Sequence, residues 1–101
     1  MYVSRLTFAT QPGHTGEVEE KLKRLAELVA RAGGTRPRVL RAHFASLGAP
    51  DLVFEQEVPD LAELEREIGD VTHRQEFQRL AGEISALLVH SSKRELYQVV
   101  D

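Results

Sequence analysis

Read as two strands joined by a Gly-Ala-Pro turn, residues 38–58 place His43 opposite Glu55 and Arg41 opposite Glu57, and that pairing could do chemistry. A carboxylate beside an imidazole fixes its tautomer and raises its basicity, which is what a general base requires. His43 and Glu55 are therefore the candidate catalytic pair. Arg41, with Arg5 from the first strand, could hold a carboxylate or an enolate. Glu57 and Tyr97 complete the candidate ligand-binding set, the tyrosine as a phenolic hydrogen-bond donor. The plainer reading of the same residues is a set of cross-strand ion pairs that fix register and recognise a partner sheet, each contributing roughly 0.2–1 kcal/mol.

The pairing follows from patterning. Every second residue gives Leu40, Ala42 and Phe44 on one strand and Leu52, Phe54 and Val58 on the other, leaving Arg41, His43, Glu55 and Glu57 on the opposite parity. With a loop from Leu47 to Asp51, Ser46 meets Leu52 and Phe44 meets Phe54, and only registers of this parity keep both apolar faces together. The apolar side should pack on helices, and Arg5, Arg41, His43, Glu55 and Glu57 should converge on the other. "RELYQVV" carries apolar residues on both parities, Leu96 and Val100 against Tyr97 and Val99, so alternation alone does not orient Tyr97.

The remaining elements must carry these strands. "YVSRLTFAT" alternates Leu6 and Phe8 with Arg5 and Thr7, the period of a strand. A turn over Gln11–His14 precedes a helix expected to be capped by Thr15, striped by Val18, Leu22, Leu25, Val29 and Ala32 and ended by Gly33 and Gly34. Asp60 with Glu63 predicts the start of a second helix, which Gly69 and Asp70 should interrupt. Thr72 and Gln75 repeat the cap spacing before a stripe of Phe77, Leu80, Ala81, Ile84, Leu87 and Leu88. The order strand, helix, strand, strand, helix pair, strand predicts an α+β, ferredoxin-like βαββαβ fold, a four-stranded antiparallel sheet with its helices on one face, spanning 1–101 as one domain.

Composition narrows the functional classes. The 101 residues contain no cysteine, which excludes disulfides, thiolate metal sites and cysteine nucleophiles. No apolar run is long enough for a signal or membrane helix, so a bacterial, cytoplasmic protein without membrane association is expected. A formal net charge of −3, with basic and acidic residues interspersed, argues against nucleic acid as a partner. His73 and Glu76 lie three apart on a helix but lack a further ligand motif, His90 suits a helix C-terminus, and "PGH" with Thr15 lacks the spacing of a phosphate loop. No serine shows the setting of an activated nucleophile.

"LTFATQPGHTGEVEEKLKRLAELV", "DLAELEREIGDVTHRQEFQRLAGEI" and "RELYQVV" together resemble the dimeric α/β-barrel superfamily, nearest to its NIPSNAP-like and antibiotic-monooxygenase-like domains. The resemblance implies a homodimer in which two sheets pack face to face, with a small-molecule cavity between sheet and helices. The haem-degrading and quinone-forming monooxygenases of that superfamily rely on an Asn and a Trp, and this chain contains neither. In the haem-binding branch a His follows the helix aromatic by one turn, and counting from Phe77 that position is Ala81. No cofactor and no metal are therefore expected. The ACT amino-acid sensors share the Pro-Gly turn, yet Pro59 to Ser92 is too long for their second helix. Two functions follow as expectations: small-molecule binding, with cofactor-independent turnover of the oxygenase or isomerase type on a small, partly apolar acid, or a non-catalytic dimeric interaction or ligand-sensing module.

Overall fold

Strand alternation and helical stripes resolve into seven elements in the computed structural model, which describes residues 1–101. They are β1 (Tyr2–Phe8), α1 (Thr15–Arg31), β2 (Arg38–Arg41), β3 (Leu52–Val58), α2 (Leu61–Thr72), α3 (Gln75–Ser85) and β4 (Lys93–Gln98). The strands form one antiparallel sheet in the order β2-β3-β1-β4. β3 lies between β1 and β2, as two interleaved strand-helix-strand units require, and the arrangement is the expected ferredoxin-like one. No helix is long and apolar enough to cross a membrane.

Helix α1 buries the stripe Val18, Leu22, Leu25 and Val29 against Phe8, Leu52 and Phe54 of the sheet. Thr15 does not cap it. His14 holds the cap position without a side-chain bond, and the Thr15 hydroxyl instead shares a 2.6 Å hydrogen bond with the Thr10 hydroxyl. The helix ends in a Schellman arrangement: Gly33 takes φ +90°, its N–H donates to Ala30 O, and Gly34 N–H donates to Val29 O. Asp60 caps α2 as the sequence predicts, its carboxylate accepting from Glu63 N–H at 2.8 Å. Gly69 does not break α2, which runs on to Thr72, because burial of Val71 on the core outweighs the roughly 1 kcal/mol cost of a mid-helix glycine. The position before α3 is Arg74, not Thr72, and α3 stops at Ser85, short of Leu87 and Leu88.

The β2–β3 hairpin departs most from expectation. Glu55 lies opposite Arg38 instead of His43, and Leu52 opposite Arg41, a slip of five residues. An odd slip moves every side chain of β2 to the other face. The cause is Asp51. Its O accepts from Ala42 N–H at 2.9 Å, its N–H donates to Phe8 O at 2.9 Å, and its carboxylate accepts from Thr10 N–H at 2.8 Å. The hairpin therefore closes early, and residues 42–51 form a loop that turns at Gly48, where φ is +87°. Phe44, expected in the core, is 92% exposed in that loop, and Leu40 is 39% exposed on the face away from the helices. Leu6, Phe8, Phe54 and Val58 do face the helices.

Candidate functional site

The outer face of the sheet, away from the helices, brings together part of the predicted set. Arg5 Nε donates to Glu55 Oε1 at 2.6 Å and Arg38 Nε to Glu55 Oε2 at 2.6 Å, leaving the Glu55 side chain only 2% exposed. Burial would raise its pKa, but the hydrogen bonds from Arg5 and Arg38 outweigh that and hold it below the usual carboxylate range. Tyr97 lies on this face, its ring 5.2 Å from the Arg5 guanidinium carbon. Glu57 shares the face, exposed and opposite Val3.

Arg41 and His43 leave it. Arg41, turned over by the register slip, donates from Nε to Glu19 Oε1 of α1 at 2.6 Å. His43 sits in the exposed loop with its ring edge-on to Phe44, 4.6 Å between centroids, so the expected His43–Glu55 pairing does not form. Arg38 occupies the place assigned to them. A carboxylate whose two oxygens each bind an arginine has no role left in orienting an imidazole.

A cavity lies on the opposite side of the sheet. It has a volume of about 150 Å³, is partly open to solvent and lies between β1, β3, β4 and the helices, walled by Phe54, Ile68, Phe77, Ala81 and Ile84 among other apolar side chains. One wall is polar, formed by Ser4, Gln56, Glu67 and Arg94. Ser4 and Gln56 face each other across β1 and β3. Arg94 Nη1 donates to Ser4 Oγ at 2.5 Å, and Gln56 Nε2 donates to Glu67 Oε1 at 2.5 Å and to Thr35 O at 2.8 Å. Glu67 Oε1 also accepts from Thr35 N–H at 2.6 Å. Gly34 permits this approach, since a Cβ there would lie 2.6 Å from Glu67 Oε1 and 3.2 Å from Val29 O.

The two ionisable groups on this wall are incompletely matched. Glu67 is 3% exposed, and its Oε2 is buried without a hydrogen-bond partner. Burial, reinforced by Glu63 and opposed by the Thr35 N–H, raises its pKa above the usual carboxylate value. Arg94, an exposed residue of β4 whose side chain lines the cavity, has no carboxylate within 4.0 Å, and desolvation of its guanidinium lowers its pKa while leaving a cation. Elsewhere no group of three or more His, Cys, Asp and Glu side chains converges as a metal site.

Three of these polar residues carry a signal that alternation alone passes over. Ser4 precedes Leu6 by two, Gln56 falls between Phe54 and Val58, and Glu67 stands on the Leu64–Val71 stripe of α2, each a polar residue at a core-facing position. Polar side chains at such positions, Ser4 and Glu67 buried and Gln56 half-buried, are the informative exceptions.

No family model and no curated protein matches the chain. Solved structures do. A putative antibiotic biosynthesis monooxygenase from Nitrosomonas europaea aligns over 100% of both chains at 14% identity with a TM-score of 0.73. A NIPSNAP family protein from Agrobacterium tumefaciens aligns over 99% of this chain and 93% of its own at 14% identity and TM-score 0.72. SnoaB, a cofactor-independent oxygenase from Streptomyces nogalater, aligns over 99% and 91% at 23% identity and TM-score 0.66. Likeness over the whole chain establishes its fold, the ferredoxin-like α+β fold that it shares with these antibiotic biosynthesis monooxygenase and NIPSNAP structures.

Proposed function

We propose that this chain binds a small, largely apolar molecule in the cavity between sheet and helices, and does so as a homodimer joined through the outer face of the sheet. The observation that carries the reading is the cavity itself: about 150 Å³, mostly apolar, with one polar wall. That volume suits a body about the size of benzene. Turnover without a cofactor, of the oxygenase or isomerase type on a partly apolar acid, fits the site's chemistry. Of the two, isomerisation asks only for a group that takes and returns a proton, and Glu67 is the buried carboxyl on the cavity. SnoaB, described as a cofactor-independent oxygenase, supports the absence of a cofactor by analogy of fold. A second reading, a non-catalytic interaction or ligand-sensing module, is favoured by the outer face, where Glu55 spends both oxygens on arginines.

Fluorobenzene followed by fluorine NMR tests the cavity. Its signal should broaden and shift with the protein present and stay sharp with Ala81→Phe, whose ring fills the space at a packing cost of about 1–3 kcal/mol. Circular dichroism of the variant checks that the fold survives. A fluorobenzene signal that the unmodified protein leaves untouched would contradict the reading.

A further inference from the structure

The polar wall of the cavity contains two groups that lack partners of opposite kind. Glu67 Oε2 is buried and unpaired, and Arg94 is a cation with no carboxylate beside it. Both line one cavity, yet they form no ion pair with each other. The row Glu67, Gln56, Ser4, Arg94 runs across β3, β1 and β4, with Ser4 and Gln56 as direct cross-strand neighbours. One cavity is thus lined by a carboxyl at one end of such a row and a guanidinium at the other, with neutral side chains between them.

We propose that this wall is a carboxylic-acid site, taking small apolar monocarboxylic acids whose carboxylate accepts hydrogen bonds from the Arg94 guanidinium and pairs with the Glu67 carboxyl through one shared proton. The inference rests on the ligand-binding reading of the cavity and names the class of ligand. The two carboxyls, one from the protein and one from the ligand, share a single proton, and the cation neutralises the remaining charge. The ligand's apolar body then lies on Phe54, Phe77 and Ile84. An isolated anion would not enter so apolar a cavity without these partners, because a buried charge must be paired and hydrogen-bonded.

The protonation state of Glu67 is set by few groups. On its own helix it meets Glu63, which favours the neutral form, and Arg66, which opposes it. The α1–β2 connection supplies the Thr35 N–H and β3 supplies Gln56, while Arg94 of β4 shares the cavity. α3 contributes only Phe77, Ala81, Ile84 and Ser85 to the lining, none of which titrates. Acid binding is therefore strongest where Glu67 is protonated and is lost as pH rises through its pKa. Glutamine at this position donates at every pH.

Titrations with fluorobenzene and with 4-fluorobenzoate, which is ionised at every pH used, separate the cavity from the acid site. Fluorobenzoate should bind at least about tenfold more tightly than fluorobenzene at pH 5.5, and its affinity should fall as pH is raised from there. Glu67→Gln should keep fluorobenzoate binding and flatten its pH dependence. Arg94→Met should lose the preference for the acid, read as the ratio of the fluorobenzoate and fluorobenzene affinities of the same variant. Fluorobenzoate binding no better than fluorobenzene at any pH would overturn the acid site while leaving the cavity reading standing, as would an undiminished pH slope in Glu67→Gln. Failure of both probes would overturn the cavity reading and the acid site together.

Discussion

Arg5→Met combined with Arg38→Met is expected to cost about 3–5 kcal/mol of stability at pH 7, the usual penalty for leaving a buried charge without its partners. Both arginines cover Glu55 and each binds a different oxygen of it, so neither single replacement removes the compensation. The pH dependence should change sign. In the unmodified chain the folded pKa of Glu55 is depressed, so its stabilising contribution is present above the unfolded pKa, about 4.3, and is lost as pH falls through the folded value. With both arginines gone, burial alone acts and raises the folded pKa. Stability is then retained below the unfolded pKa and lost as pH rises through the folded one. Urea denaturation from pH 4 to pH 8 checks this. A double variant as stable as its parent at pH 7 would mean that Glu55 is hydrated without them.

Sedimentation at micromolar concentration should give twice the 11.3 kDa chain mass. Val3 and Val53, the 39%-exposed Leu40 and the 46%-exposed Tyr97 supply apolar area on the outer face. Its charges are of both signs, with Arg38 and Lys93 set among Glu57 and Glu95. A two-fold interface lays each such row on its opposite, which suits a surface that is neither wholly acidic nor wholly basic. Tyr97, stacked on Arg5, is the aromatic best placed as an anchor. Tyr97→Lys should weaken the dimer by about tenfold or more. A monomer in the unmodified chain would remove the paired sheets, and a dimer indifferent to Tyr97→Lys would place the contact elsewhere.

The fold was legible because its determinants are periodic. The α1 stripe, the Asp60 cap and the alternation of β1 and β3 all depend on near neighbours in sequence, and these predict the ferredoxin-like topology. The site was legible only in part. Arg5, Glu55, Glu57 and Tyr97 share a face, since β1 and β3 pair in the register that alternation demands. Arg41 and His43 do not, because the β2 register is decided by Asp51 holding Thr10, a contact between residues far apart in sequence that no local pattern announces. Alternation favoured burying Phe44; closure at Asp51 exposes it. The cavity wall was missed for another reason. Reading each strand as one apolar face and one charged face hides Ser4, Gln56 and Arg94, polar residues on the face that packs against helices.

Ligand binding behind the sheet is tested most directly by a crystal structure with 4-bromobenzoate, whose bromine is located by anomalous scattering. The bromine is expected between Phe54, Phe77 and Ile84, with the carboxylate within hydrogen-bonding distance of Arg94 and Glu67. Bromine found only on the outer face, near Arg5 and Arg38, with no density in the cavity at saturating concentration, would contradict it.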